Sequence, residues 1–110
     1  MLAAFAGAIL AVGAAAPASA GVYLYQNDQY LGGSHYDSGS NYTYHDGDTF
    51  SNGVHLYDNV TSVKNQTSYW TCFYVNHHYE GDGLALNSYV YSPNVGSYYN
   101  DKFSSHLVNC

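Results

Sequence analysis

Tyr25-Gln-Asn-Asp-Gln-Tyr-Leu-Gly32 returns further along the chain as Tyr74-Val-Asn-His-His-Tyr-Glu-Gly81. Each stretch opens on tyrosine, places a second tyrosine two residues before its end, and closes on glycine. A polar tip that closes on glycine suits a tight hairpin, because glycine takes positive φ without a Cβ clash. The aromatic ring seven residues earlier can then cover the folded hairpin. A second pair of stretches follows in the same order: Tyr57-Asp-Asn-Val-Thr-Ser62, then Asn100-Asp-Lys-Phe-Ser-Ser105. Two kinds of signal, each present twice and in the same order, with the second copy about six residues shorter between them, are the mark of an internal duplication.

Within each copy the pattern is strand and turn. Val22 to Tyr25 and Trp70 to Val75 are rich in β-formers and run into the polar tips; Ser34 to Tyr36 and Leu84 to Leu86 follow the glycines; Thr61 to Lys64 and Ser104 to Val108 end the copies. Turn chemistry is dense between them, as at Asp46-Gly47, Asn52-Gly53 and Asp82-Gly83. No stretch supports a long amphipathic helix. A four-strand unit made twice predicts an all-β sandwich of two Greek keys, about residues 21–65 and 68–110.

The cysteines fit that topology. Cys72 and Cys110 are the only two, and in an exported chain an even pair reads as a disulfide. The fourth strand of a Greek key returns beside the first and antiparallel to it. Cys72 begins the first strand of the second copy and Cys110 ends its fourth, so a bond between them is expected.

Residues 1–20, MLAAFAGAILAVGAAAPASA, are apolar and small, and close on Ala18-Ser19-Ala20, the small-x-small pattern of a signal-peptidase site. The basic segment that usually opens such a leader is missing after Met1, so the translation start is expected upstream. A membrane anchor would need about 20 apolar residues without this Gly/Ala/Pro-rich end. The expectation is a secreted, extracellular domain over residues 21–110, monomeric and free of the membrane once processed.

Charge narrows the partners. Lys64 and Lys102 are the only basic residues against eight acids, a net charge of −6. No basic patch can be built to release counterions, which excludes nucleic acid and disfavours anionic membranes. Fourteen tyrosines suit half-buried strands and contact surfaces alike. Clusters such as Tyr42-Thr-Tyr44, Tyr89-Val-Tyr91 and Tyr98-Tyr99 make a polysaccharide one candidate partner. Asp46-Gly-Asp48 and Glu80-Gly-Asp82 read as turns, and no nucleophile stands beside a base, so no catalytic residue and no enzyme is expected. His77 and His78 are adjacent and point to opposite faces if extended, and no His-x-His spacing appears, which argues against a transition-metal chelate.

With Y-x6-G twice, N-D-K-F-S-S once and Y-D-N-V-T-S as a weaker copy, residues 21–110 resemble the βγ-crystallin superfamily. Within it, Leu24-Tyr-Gln-Asn-Asp-Gln-Tyr-Leu-Gly-Gly33 resembles the secreted bacterial members of peptidase inhibitor family I36. Members commonly carry another cysteine pair near the N-terminus, and this chain has none. The resemblance implies a protease inhibitor aimed at an extracellular protease, with a calcium-binding or purely structural domain, or a polysaccharide-binding module, as alternatives. It also implies that the Asn/Asp-rich loops of the two copies lie side by side and trade oxygen ligands. Calcium takes six to eight oxygens, and Asn100, Asp101 and Ser104 match the motif in full. In the first copy Asp58 and Thr61 match, while Tyr57 replaces the leading acid or amide. One competent and one impaired site are therefore expected, unless the hydroxyls only satisfy backbone groups in a tight arch. For inhibition the expected contact segment is the connector 64–70, KNQTSYW, which presents Tyr69 and Trp70 beside Cys72.

Overall fold

The computed structural model describes residues 20–110; the expected leader, residues 1–20, lies outside them except for Ala20. Among the described residues eight strands build two four-stranded antiparallel sheets: β1 (Gly21–Tyr25), β2 (Ser34–Asp37), β3 (Asn41–Thr43), β4 (Ser62–Gln66), β5 (Thr71–Tyr74), β6 (Gly83–Leu86), β7 (Tyr91–Ser92) and β8 (Ser105–Val108). Both predicted hairpins form, β1 with β2 and β5 with β6, each tip wound into a single 3-10 turn at Asp28–Tyr30 and His77–Tyr79. Among the described residues there is no longer helix, and none that is long and apolar enough to cross a membrane.

Strand order is β2-β1-β4-β7 in one sheet and β3-β8-β5-β6 in the other. In each copy the fourth strand lies antiparallel to the first, as a Greek key requires: β1 with β4, and β5 with β8. The third strands do something the repeat did not announce. β3 leaves its own copy to pair with β8, and β7 pairs with β4, so each sheet holds three strands of one copy and one of the other. The keys are thereby interlocked, and the core between the sheets is shared.

Alternation places Val22, Leu24 and Val63 inward from one sheet and Phe73 and Leu86 from the other; Tyr44, Phe50, Leu56, Val60, Val95 and Phe103 close the core from the loops. Gly32 and Gly81 hold φ of 75° and 82°, and a Cβ on either would lie 2.6 Å from the Asn27 or Asn76 side chain. Glycine is required there twice over. The covering rings behave as expected, with Tyr25 edge-on to Tyr30 and the Tyr74 ring over Gly83. Cys72 and Cys110 are bonded, closing a loop with a sequence separation of 38.

Candidate functional site

The two Asn/Asp loops meet at one end of the sandwich, related by a local twofold. Asp58 N–H donates to the Phe103 carbonyl and Asp101 N–H to the Val60 carbonyl, both at 3.1 Å. Asp58 and Asp101 both sit in the left-handed region, φ 61° and 59°, which aspartate tolerates better than most side chains. The side chains cross in the same reciprocal way. Ser104 Oγ lies 3.5 Å from Asp58 Oδ1, and Thr61 Oγ1 lies 3.3 Å from Asp101 Oδ1. A closed hydroxyl–carboxylate bond is usually about 2.7 Å, so these oxygens converge without being consumed by one another.

The next hydroxyl in each motif has a different duty. Ser62 Oγ accepts from Tyr30 N–H at 3.1 Å and donates to the Asn27 carbonyl at 2.6 Å; Ser105 Oγ accepts from Tyr79 N–H at 3.1 Å and donates to the Asn76 carbonyl at 2.7 Å. The final serine pins the hairpin tip of its own copy, and the hydroxyl before it faces the other copy's carboxylate. Architectural and ligand roles are thus divided between neighbouring side chains.

The two halves differ in what surrounds them. Beside Thr61 and Asn100 opens a cavity of about 570 Å³, also lined by Asn27, Asp28, Asn94 and Ser97. Asn100 Oδ1 is buried and has no hydrogen-bond partner among the described residues, although buried acceptors are nearly always paired. At the other half, Tyr57 occupies the place of Asn100 and His77 the place of Asp28, with the two rings 5.6 Å apart. Two oxygen donors are replaced there by aromatic rings in contact. Burial pushes the Asp58 carboxyl above its ordinary range, and the neighbouring Asp101 charge pushes the same way, against the Ser104 hydroxyl and His77. Asp28 and His77 escape the motif; comparing the two hairpin tips position by position is the signal that would have exposed them.

The inhibitory candidate is shorter than the sequence suggests. Lys64 to Gln66 belong to β4, so only residues 67–70 cross between the copies. Tyr69 and Trp70 are 53% and 50% exposed, so Trp70 does not serve as a plug between the copies. What orders this short connector is Asn65, which faces inward from β4 and is fully buried. Its two amide hydrogens are shared among the carbonyls of Tyr69, Leu86 and Asn87, at 2.8, 3.1 and 2.9 Å from the nitrogen, and its oxygen accepts from Thr67 N–H and Thr67 Oγ1 at 3.1 and 2.7 Å. The clue was its place two residues after Val63, on the buried side of an alternating strand.

A second buried polar group ties the sheets together. His106 on β8 is fully buried; its Nε2–H donates to Asp37 Oδ2 on β2 at 2.8 Å, which leaves Nδ1 to accept from the Tyr44 hydroxyl at 2.8 Å. Burial holds His106 below its ordinary range in spite of Asp37. Burial pushes Asp37 up, but the bonds from His106 and Gly39 prevail and its carboxyl lies below the usual range. Tyr44 is fully buried, which removes the Tyr42–Tyr44 cluster from any sugar-binding surface. Among the described residues no group of three or more His, Cys, Asp or Glu side chains converges, and His77 and His78 turn their rings 78° apart.

This fold is that of the βγ-crystallin domains. A βγ-crystallin domain from Clostridium beijerinckii matches at 26% identity and a TM-score of 0.64, over 81% of this chain and 97% of that one. One from Flavobacterium johnsoniae gives 24% identity and a TM-score of 0.66, over 79% of this chain and 91% of that one. A structure described under the evolution of the eye lens βγ-crystallin domain fold gives 22% and 0.70, over 88% and 92%. A clostrillin variant with two serines replaced by histidine, solved in complex with nickel, matches at 24% and 0.66, over 84% of this chain and all of that one. No protein-family model and no curated protein matches the chain.

Proposed function

We propose that residues 21–110 form an exported βγ-crystallin-type module that binds one calcium ion where the two loops cross, with Asn100, Asp101 and Thr61 as the competent half and Asp58 and Ser104 as the impaired one. The observation that carries this reading is the unpartnered Asn100 Oδ1 beside an open cavity lined by Asn27, Asp28, Thr61, Asn94 and Ser97 together with Leu31, in a loop pair whose carboxylates and hydroxyls converge without closing on each other. The donor set is all oxygen and flexible in number, which is what calcium takes. Bound calcium would supply a charge that both loops share, fastening the first copy to the second. Tyr57 and His77 fill the impaired half with rings. Calorimetry on the mature chain tests this: a stoichiometry near one supports it, and no heat with no rise in melting temperature at millimolar calcium overturns it.

A second reading is inhibition of an extracellular protease of the kind family I36 members bind, and it is favoured by the connector. Two exposed aromatic side chains stand on a four-residue bridge that Asn65 and the adjoining Cys72–Cys110 bond hold in place. A pre-ordered segment loses less entropy on docking and resists cleavage. Titration against metallo, serine and cysteine proteases, with and without calcium, is the test. Absence of inhibition across all three classes at micromolar protein removes this reading and leaves the calcium module intact.

A further inference from the structure

The outer face of sheet β2-β1-β4-β7 carries a straight row of side chains across all four strands. Register pairs Tyr36 with Tyr23, Tyr23 with Lys64, and Lys64 with Tyr91, all on the side opposite the core residues Val22, Leu24 and Val63. Tyr23 and Tyr36 pack with ring centroids 4.8 Å apart, and Tyr25, Tyr30 and Tyr91 continue the paving at 5.5 and 6.3 Å. Lys64 Nζ sits among the last three rings, 5.7 Å from Tyr25, 4.6 Å from Tyr30 and 5.2 Å from Tyr91. Tyr91, on the edge strand, is braced by a hydrogen bond to Gln66.

We propose that this row is a binding platform for a polysaccharide of mainly neutral sugars that carries isolated uronic acid units, laid across the strands with one carboxylate at Lys64. Three features select that occupant. First, Lys64 is one of two basic residues in a chain of net charge −6, yet among the described residues it has no carboxylate partner, the ion pair there being His106 with Asp37. An ammonium held in an aromatic ring cluster and left without an anion is complementary to a single carboxylate. Second, the row is linear, spanning four strands at about 4.8 Å each, and its surface alternates ring faces with hydroxyl and amide groups. A sugar chain offers the matching alternation of C–H faces and hydroxyls. Third, a second copy of this chain is a poor occupant. A twofold contact centred on the row would set Lys64 against its own equivalent with no acid on the row to separate them, between two molecules of the same net charge.

The platform's Tyr25 and Tyr30 adjoin the first crossing loop, Thr61 N–H donating to the Tyr25 carbonyl and Tyr30 N–H to Ser62 Oγ, so the platform is tested with calcium removed. The experiment is a calorimetric titration of the mature chain in EDTA, so that calcium neither bridges the uronates nor fills the loops. The probes are a xylo-oligosaccharide that carries a single glucuronate unit and the same oligosaccharide without it. The uronate is expected to bind about tenfold more tightly than the neutral chain. Lys64→Met should abolish that preference, Tyr91→Ala should weaken both probes, and Tyr98→Ala, on the other sheet's side, should change neither. Melting curves of each variant establish that it is folded. No binding of the uronate at millimolar concentration, or a preference that survives Lys64→Met in the folded variant, overturns the proposal. So does sedimentation showing a dimer that Tyr91→Ala dissolves, which would give the face to a second copy.

Discussion

Replacing Asn65 by alanine removes five hydrogen-bond contacts, two of them sharing one amide hydrogen, from one buried position. A typical intramolecular bond contributes about 1 kcal/mol net, and a buried partner left unsatisfied costs about 1 to 3 kcal/mol. The bond to the Leu86 carbonyl is buried, whereas the carbonyls of Tyr69 and Asn87 and the Thr67 groups lie where water can reach them after the change. Solvent then recovers part of the loss, and we expect Asn65→Ala to cost about 3 kcal/mol. For a domain of this size that lowers the melting temperature by roughly 12 to 24 °C. Trp70 is the only tryptophan, so its fluorescence anisotropy reports directly on the connector and should fall below the folding transition. Thr67→Val, which removes only the hydroxyl bonds, should cost about 1 kcal/mol. A loss under about 1 kcal/mol for Asn65→Ala with unchanged anisotropy would refute the view that this amide orders the bridge.

Three further outcomes follow from the geometry. Opening the Cys72–Cys110 loop, of sequence separation 38, by replacing both cysteines with alanine should cost about 4 kcal/mol by the chain-entropy relation, read as a lower denaturant midpoint with a larger m-value, because the unfolded chain without the crosslink exposes more surface. Because His106 and Asp37 are both held below their ordinary ranges, the unfolded chain binds more protons than the native one in acid. Stability should therefore fall as pH drops, first through His106 below about 6.5 at up to about 1.4 kcal/mol per pH unit, then through Asp37 below about 4. A melting temperature that stays flat from pH 7.5 to 5 would contradict that arrangement. If the chain inhibits a protease, Trp70→Ala with Tyr69→Ala should weaken inhibition tenfold or more, about 1.4 kcal/mol or above; inhibition that survives both changes moves the contact site elsewhere.

The repeat made the two keys, the hairpin tips and the disulfide legible, because each depends on local chemistry: glycine at positive φ, polar tips, and a cysteine at either end of neighbouring strands. The exchange of β3 and β7 between sheets was not legible. Those strands are three and two residues long, and their partners lie in the other copy, so no local pattern encodes the pairing. The motif also named Asp58, Thr61, Asp101 and Ser104, whose side chains meet where the two loops cross. It did not separate the hydroxyls of Thr61 and Ser104, which face the other copy's carboxylate, from the architectural ones of Ser62 and Ser105, since two adjacent small hydroxyl residues look alike until the hairpin tip is folded against them. Asn65 and His106 were hidden for another reason. A polar side chain on the buried side of a strand is informative only once its partners are known, and those partners come from as far as β2, in Asp37, and the loop before β7, in Asn87.

Calcium calorimetry on the mature chain, with Asp101→Ala and Asp58→Ala beside it, tests the central claim most directly. We expect one ion per chain, a melting temperature that rises as free calcium exceeds the dissociation constant, and a larger loss of affinity for Asp101→Ala than for Asp58→Ala. Two equal sites, or equal losses in the two variants, would contradict the asymmetry read from Asn100 and Tyr57; no binding at millimolar calcium would remove the site.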